Sequence, residues 1–207
     1  MPHDESMSEH ELHGHDNPAV GIGNDGVPET SEIPSMPARS HTYMIQPRVA
    51  GTMFYHCHVQ SNIHILMGLQ GMFVVEENRP NNWVQALNIG AGHVRHPSVA
   101  VKEQFNREYD LHYEDIYTGL SDAIQGPIDP RLIIRDAHRR FDITQAKPSY
   151  FLLNGLSFPY TMRESLVIVA PNERIKLRML NGGNKSVPVH THGHKLTISH
   201  LDGIAVP

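Results

Sequence analysis

The feature that most constrains this chain is the run Tyr55, His56, Cys57, His58, followed by His64. Residues 53–59 come after a Gly and are rich in aromatic and β-branched side chains, which predicts a strand. Successive side chains of a strand point to opposite faces. Cys57 therefore offers sulfur on one side, and His56 and His58 offer imidazoles on the other. Thiolate with imidazole suits copper, and a blue-copper centre uses two His, one Cys and a weak axial ligand. His64 stands at loop distance from Cys57, and Met67 to Gly71 lead into a second strand-like run at residues 72–75. An isolated Cys on a strand is ordinarily a small buried hydrophobe, but that role leaves the two flanking histidines unexplained. Structural zinc sites commonly draw on paired Cys-x-x-Cys motifs, and this chain has 1 Cys.

This stretch resembles the copper loop of the multicopper oxidases, a family built from cupredoxin domains. The resemblance implies that Cys57 and His64 are ligands of a blue type-one copper. It places Leu69, 5 residues after His64, at the axial position. Leu cannot coordinate copper, which is the laccase-like, high-potential arrangement; Met67 and Met72 are the other axial candidates. The resemblance also implies that His56 and His58 serve a trinuclear type-two and type-three cluster that reduces dioxygen. Cys57 is covalently joined to both, which gives electrons a short path.

A second pattern lies at residues 187–194, Val-Pro-Val-His-Thr-His-Gly-His. His190 and His192 are two apart, so on a strand they share a face and can grip metal, while Gly193 lets the backbone turn. The run resembles the family's His-Pro-x-His-x-His-Gly motif with Val187 in place of the leading His. That implies no blue site here, a type-two role for His190, a type-three role for His192, and structural roles for His194 and His200. Near the N-terminus, His13, Gly14 and then residues 25–28, Asp-Gly-Val-Pro, resemble the His-x-His-Gly strand and its following turn. By this resemblance His13 joins the trinuclear cluster. Glu11 stands where relatives carry the first His, Ser8 where the second blue-copper His is expected, and Asn62 where relatives can carry a further His.

The 207 residues suffice for one or two domains. Hydrophobic residues make 39% and charged residues 19%, an ordinary soluble composition. A net charge of −5 argues against nucleic acid, which favours a basic face. The 16 His, many in short clusters, are metal-ligand material. The opening residues lack the apolar run of a signal peptide, and no stretch is long enough to span a membrane.

Along the chain, residues 1–40 are Gly-, Pro- and Ser-rich and predict loop. Strands are expected at 41–47, 72–77, 109–117, 165–169 and 174–180, the last with Ile175, Leu177 and Met179 on one face. A short helix is expected at 131–140, and an Asn-Gly turn at 154–155 closes a hairpin near residue 150. The expected fold is all-β, with cupredoxin-like Greek-key β-sandwiches in two domains, each incomplete. Residues 1–80 form the first and carry the blue-copper loop, 81–108 link them, and 109–207 form the second. His93 and His96 read as surface residues of the linker. A complete sandwich needs about seven or eight strands, so half-sandwiches leave open edges, as in a fragment of a longer chain.

The resemblance implies a copper-dependent oxidoreductase that takes single electrons from a small reducing substrate and reduces dioxygen to water. It implies a periplasmic or extracellular location and a homotrimer that shares the cluster between subunits. A copper nitrite reductase, an electron-transfer cupredoxin and an inactive remnant are the rivals. His58 directly after Cys57 favours the oxidase over the reductase, and paired His motifs exceed what a carrier needs.

Overall fold

The computed structural model describes residues 27, 38–40, 42–43, 45, 50–75, 85–88, 93–96, 105–126, 129 and 132–207. His13, Ser8 and Glu11 lie outside the described residues, as does most of the strand expected at 41–47. Of that strand, Thr42, Tyr43 and Ile45 are described, and they are not in a strand.

Strand β1 (Gly51–His56) pairs antiparallel with β2 (Gln70–Val75), in a register that runs from Gly51 opposite Val75 to His56 opposite Gln70. Between them lies the short helix α1 (Ser61–His64), entered through Gln60 in the left-handed region at φ 55°. Strands β3 (Gln85–Asn88) and β4 (His93–His96) form an antiparallel pair within the stretch expected to be a linker. The longest strand, β5 (Arg107–Ile116), is the centre of a five-stranded sheet. Helices α2 (Thr118–Gln125) and α3 (Ile133–Arg140) follow, then β6 (Tyr150–Leu153), the short helix α4 (Thr161–Glu164) and β7 (Ile175–Asn181). The chain closes with the two-residue strands β8 (His200–Leu201) and β9 (Ile204–Ala205). Among the described residues the regular elements are thus mostly strands with a few short helices, compatible with a cupredoxin-like sandwich.

β5 pairs in parallel with β7 and antiparallel with β4 and β6. The β6 turn uses Asn154 and Gly155, both at positive φ (52° and 79°), the geometry that favours an Asn-Gly pair. The C-terminal hairpin turns on Asp202 and Gly203 in the same way, at 49° and 80°. It closes against β1: a Cβ on Gly51 would stand 2.6 Å from the Gly203 carbonyl oxygen.

One apolar cluster anchors α1. Ile63 packs with Tyr117, Leu120 and Ala137, and Leu66, Ile124 and Phe141 surround them. Burying each large apolar side chain contributes about 1.5–3 kcal/mol. The helical turn that ends on His64 is thus held by α2 and α3, which lie far along the sequence.

Several expectations are corrected. Residues 53–59 do not form one strand. β1 ends at His56, and although the Cys57 amide still donates to the Leu69 carbonyl (3.0 Å), the Val59 amide turns back to the Cys57 sulfur (3.3 Å). Residues 165–169 make no strand; Leu166, Ile168 and Val169 are exposed, without a partner ladder among the described residues. β7 forms with Ile175, Leu177 and Met179 on one face, but its buried residue, Arg178, is on the other, and Met179 is 45% exposed. Arg178 faces inward because Glu108 on β5 neutralises it (Nε to Oε1, 2.5 Å) and Thr52 on β1 accepts from its Nη1 at 2.8 Å. His190 and His192 lie outside any strand, His192 at a bend. Among the described residues, no helix is long and apolar enough to cross a membrane.

Candidate metal centre

The residues around Cys57 form a compact group. The Cys57 Sγ lies 3.2 Å from Nδ1 of His64. Metal–sulfur and metal–imidazole bonds are about 2.3 and 2.0 Å, so two donors this close reach one ion together. The Val59 amide donates to the same sulfur, and hydrogen bonds there tune a copper–thiolate site. The loop that presents His64 closes on itself: Leu69 N–H donates to the His64 carbonyl at 2.9 Å and Met67 N–H to Ile63 at 3.1 Å. Gly68 turns the chain at φ 93°. Leu69 is 56% exposed, and it ties this loop to β1 through its backbone carbonyl.

His56 and His58 lie together although β1 ends at His56, with ring centroids 4.9 Å apart and planes 25° from parallel. His56 Nδ1 stands 3.1 Å from the Cys57 carbonyl oxygen. A carbonyl only accepts, so Nδ1 carries a proton, and in the neutral ring Nε2 then has the lone pair, the tautomer a metal ligand needs. His190 and His192 repeat the motif: centroids 4.9 Å apart, planes 15° from parallel, and Nε2 atoms 2.9 Å apart. Both rings are exposed, and Gly193 turns the backbone at φ 75°. Two Nε2 atoms at that distance cannot both carry protons, so at least one of them keeps its lone pair.

The described residues therefore hold three donor pairs: Cys57 with His64, His56 with His58, and His190 with His192. No three His, Cys, Asp or Glu converge as one group among them. His13 lies outside the described residues.

Beside the loop lies a cavity of about 210 Å³, lined by Leu66, Met67, Gln70, Glu114, Tyr117 and Ser121 among others. Asp115 at its wall is buried, with its carboxylate taken by the backbone amides of Asn184 and Lys185. His112 is half-buried, and desolvation lowers its pKa from 6.5, against a smaller raising effect of Glu114.

Compared with known families, residues 3–80 match the model described as multicopper oxidase. Over residues 3–80 the chain is similar to the multicopper oxidases. The match takes in His13, His56, Cys57, His58 and His64; His190 and His192 lie beyond it. No curated protein and no solved structure matches the chain. Multicopper oxidases bind copper, and the sulfur and imidazole donors at Cys57 and His64 fit that metal.

Sequence reasoning missed two groups that organise this region. A signal for Arg178 and Glu108 existed, since Arg interrupts the apolar run of β7. Gln70, whose side chain reaches Gly182 across 112 residues, gave none.

Proposed function

We propose that this chain is a copper-dependent oxidoreductase of the multicopper oxidase type, laccase-like in its axial position. It oxidises a small reducing substrate by single electrons and passes them to dioxygen, forming water. The observation that carries this reading is the 3.2 Å approach of Cys57 Sγ to His64 Nδ1, with the His56 and His58 rings stacked beside it. Bound copper would supply the one-electron redox chemistry and the reduction of dioxygen.

The protein's own part is orientation. Cys57 and His64 hold the electron-accepting centre. His56 and His58, on either side of Cys57 in the chain, hold the second centre one peptide unit away on each side. His190, His192 and His13 complete that second centre. The exposure of His190 and His192 suits a cluster closed between subunits, as in a homotrimer. The cavity beside residues 66–70 gives a small reductant access to the loop bearing His64. Residues 1–80 and 109–207 act as two cupredoxin units joined through 81–108, in an exported protein.

The test is oxygen consumption by the copper-loaded chain with a one-electron donor such as an electron-rich phenol. Four donor molecules oxidised per dioxygen, with no peroxide released, is the expected stoichiometry. Peroxide as the product, or no oxygen uptake by protein that has taken up copper, would overturn it.

A further inference from the structure

Gln70 is the first residue of β2, and its backbone lies opposite His56, the residue before Cys57. Its side chain turns the other way. Nε2 donates to the Ile65 carbonyl at 3.1 Å and to the Gly182 carbonyl at 2.9 Å. These two acceptors fix which end of the amide is nitrogen. Oε1 therefore faces Nε2 of His112 at 3.3 Å and accepts its proton. Both amide hydrogens and the oxygen are thus engaged, on three separate segments.

The geometry is specific to this pair of residues. A Cβ on Gly182 would fall 1.5 Å from Gln70 Oε1, so only Gly admits the amide there. Gly182 is itself held, its N–H donating to the Tyr113 carbonyl at 2.9 Å. Ile65 directly follows His64. One residue therefore ties the strand before Cys57 to the residue after His64, and both to the turn that follows β7.

We propose that Gln70 is a positioning residue: its amide seats the loop bearing His64 on the turn at Gly182 and so sets how His64 meets Cys57. Leu has nearly the same volume but takes the amide donor away from the Gly182 carbonyl and from the Ile65 carbonyl, which keeps its bond from the Gly68 N–H. Glu keeps the shape but, ionised, offers oxygen to two carbonyls. Losing both part-buried hydrogen bonds together shifts a local equilibrium about tenfold or more.

The copper consequence rests on the function proposed above; the positioning itself does not, and the two are read separately. Hydrogen exchange on copper-free Gln70→Leu and Gln70→Glu follows two amides that close the loop, Cys57 and Leu69. The expected result is a loss of protection of about tenfold or more at both, with the amides between β5 and β7 changed by less than about twofold. Copper-loaded Gln70→Leu should also show a displaced sulfur-to-copper absorption maximum at undiminished copper content. Unchanged exchange at Cys57 and Leu69 overturns the proposal. So does an equal loss across β5 and β7, which marks a role in general stability alone. If both variants fail to fold, His112→Ala removes only the donor to Oε1, and a smaller loss confined to Cys57 and Leu69 is expected; no loss there overturns the proposal. A wild-type chain with no copper band sinks the copper reading and leaves the exchange pattern to decide on Gln70.

Discussion

Arg178 on β7 and Glu108 on β5 form an ion pair sealed from solvent, 6% and 1% exposed at their side chains. A third partner, Thr52 on β1, takes the remaining guanidinium edge. The pair joins the strand that leads to Cys57 to the central sheet. A buried pair is costly to desolvate, and removing one member strands the other charge.

Arg178→Met should therefore lower unfolding stability by about 3–5 kcal/mol. The double variant Arg178→Met with Glu108→Leu should recover most of that loss, because no buried charge remains. Urea unfolding of the four chains in the cycle measures it. A double variant as unstable as the single one would contradict the assignment.

His112 gives a prediction for pH. Burial lowers its pKa below the ordinary 6.5, with Glu114 opposing to a lesser degree. The unfolded chain then takes up the proton first as pH falls. The stability linked to neutral His112 is complete above about pH 6.5 and is lost as pH falls from there toward the folded value. The hydrogen bond to Gln70 survives this change, since Nε2 donates in both states. Denaturant midpoints between about pH 7.5 and 5 should fall in the wild type and flatten in His112→Gln.

Gly51 is buried where β1 meets the C-terminal hairpin, and any Cβ would press on the backbone of Gly203 at 2.6 Å. Backbone yields poorly, so Gly51→Ala should cost about 1–3 kcal/mol. Thermal unfolding checks it; an unchanged midpoint would show that the hairpin does not close on β1.

The Nε2 atoms of His190 and His192 stand 2.9 Å apart, a separation that two ligands of one ion can have. Replacing either with Ala should weaken divalent copper binding at this pair roughly tenfold or more, a step of only about 1.4 kcal/mol. Isothermal titration on the Cys57→Ser background isolates the pair from the thiolate. Equal affinity in wild-type and Ala forms would contradict a ligand role.

What the sequence reveals here follows the range of the interactions. The Asn154–Gly155 turn, β7 and the helix ending at Arg140 are local patterns and were legible. Cys57 with His64 was legible too, because seven residues and one loop separate them. Helix α2 carried a signal in Leu120, Ala123 and Ile124, but Gly119 and its short length obscured it. Residues 165–169 have strand composition, yet a strand exists only where a partner ladder does. The inward turn of Arg178 depends on Glu108, 70 residues away, so the apolar alternation of β7 misled. Gln70 reaches farther still, and no local pattern marks it.

The most direct test of the central claim is the visible spectrum of the chain during titration with divalent copper, beside the same titration of Cys57→Ser. Joint capture of copper by Cys57 and His64 predicts an intense band near about 600 nm in the wild type. In Cys57→Ser the band should vanish while copper bound by the other histidines remains. Copper uptake without that band, or the same band in Cys57→Ser, would contradict the account.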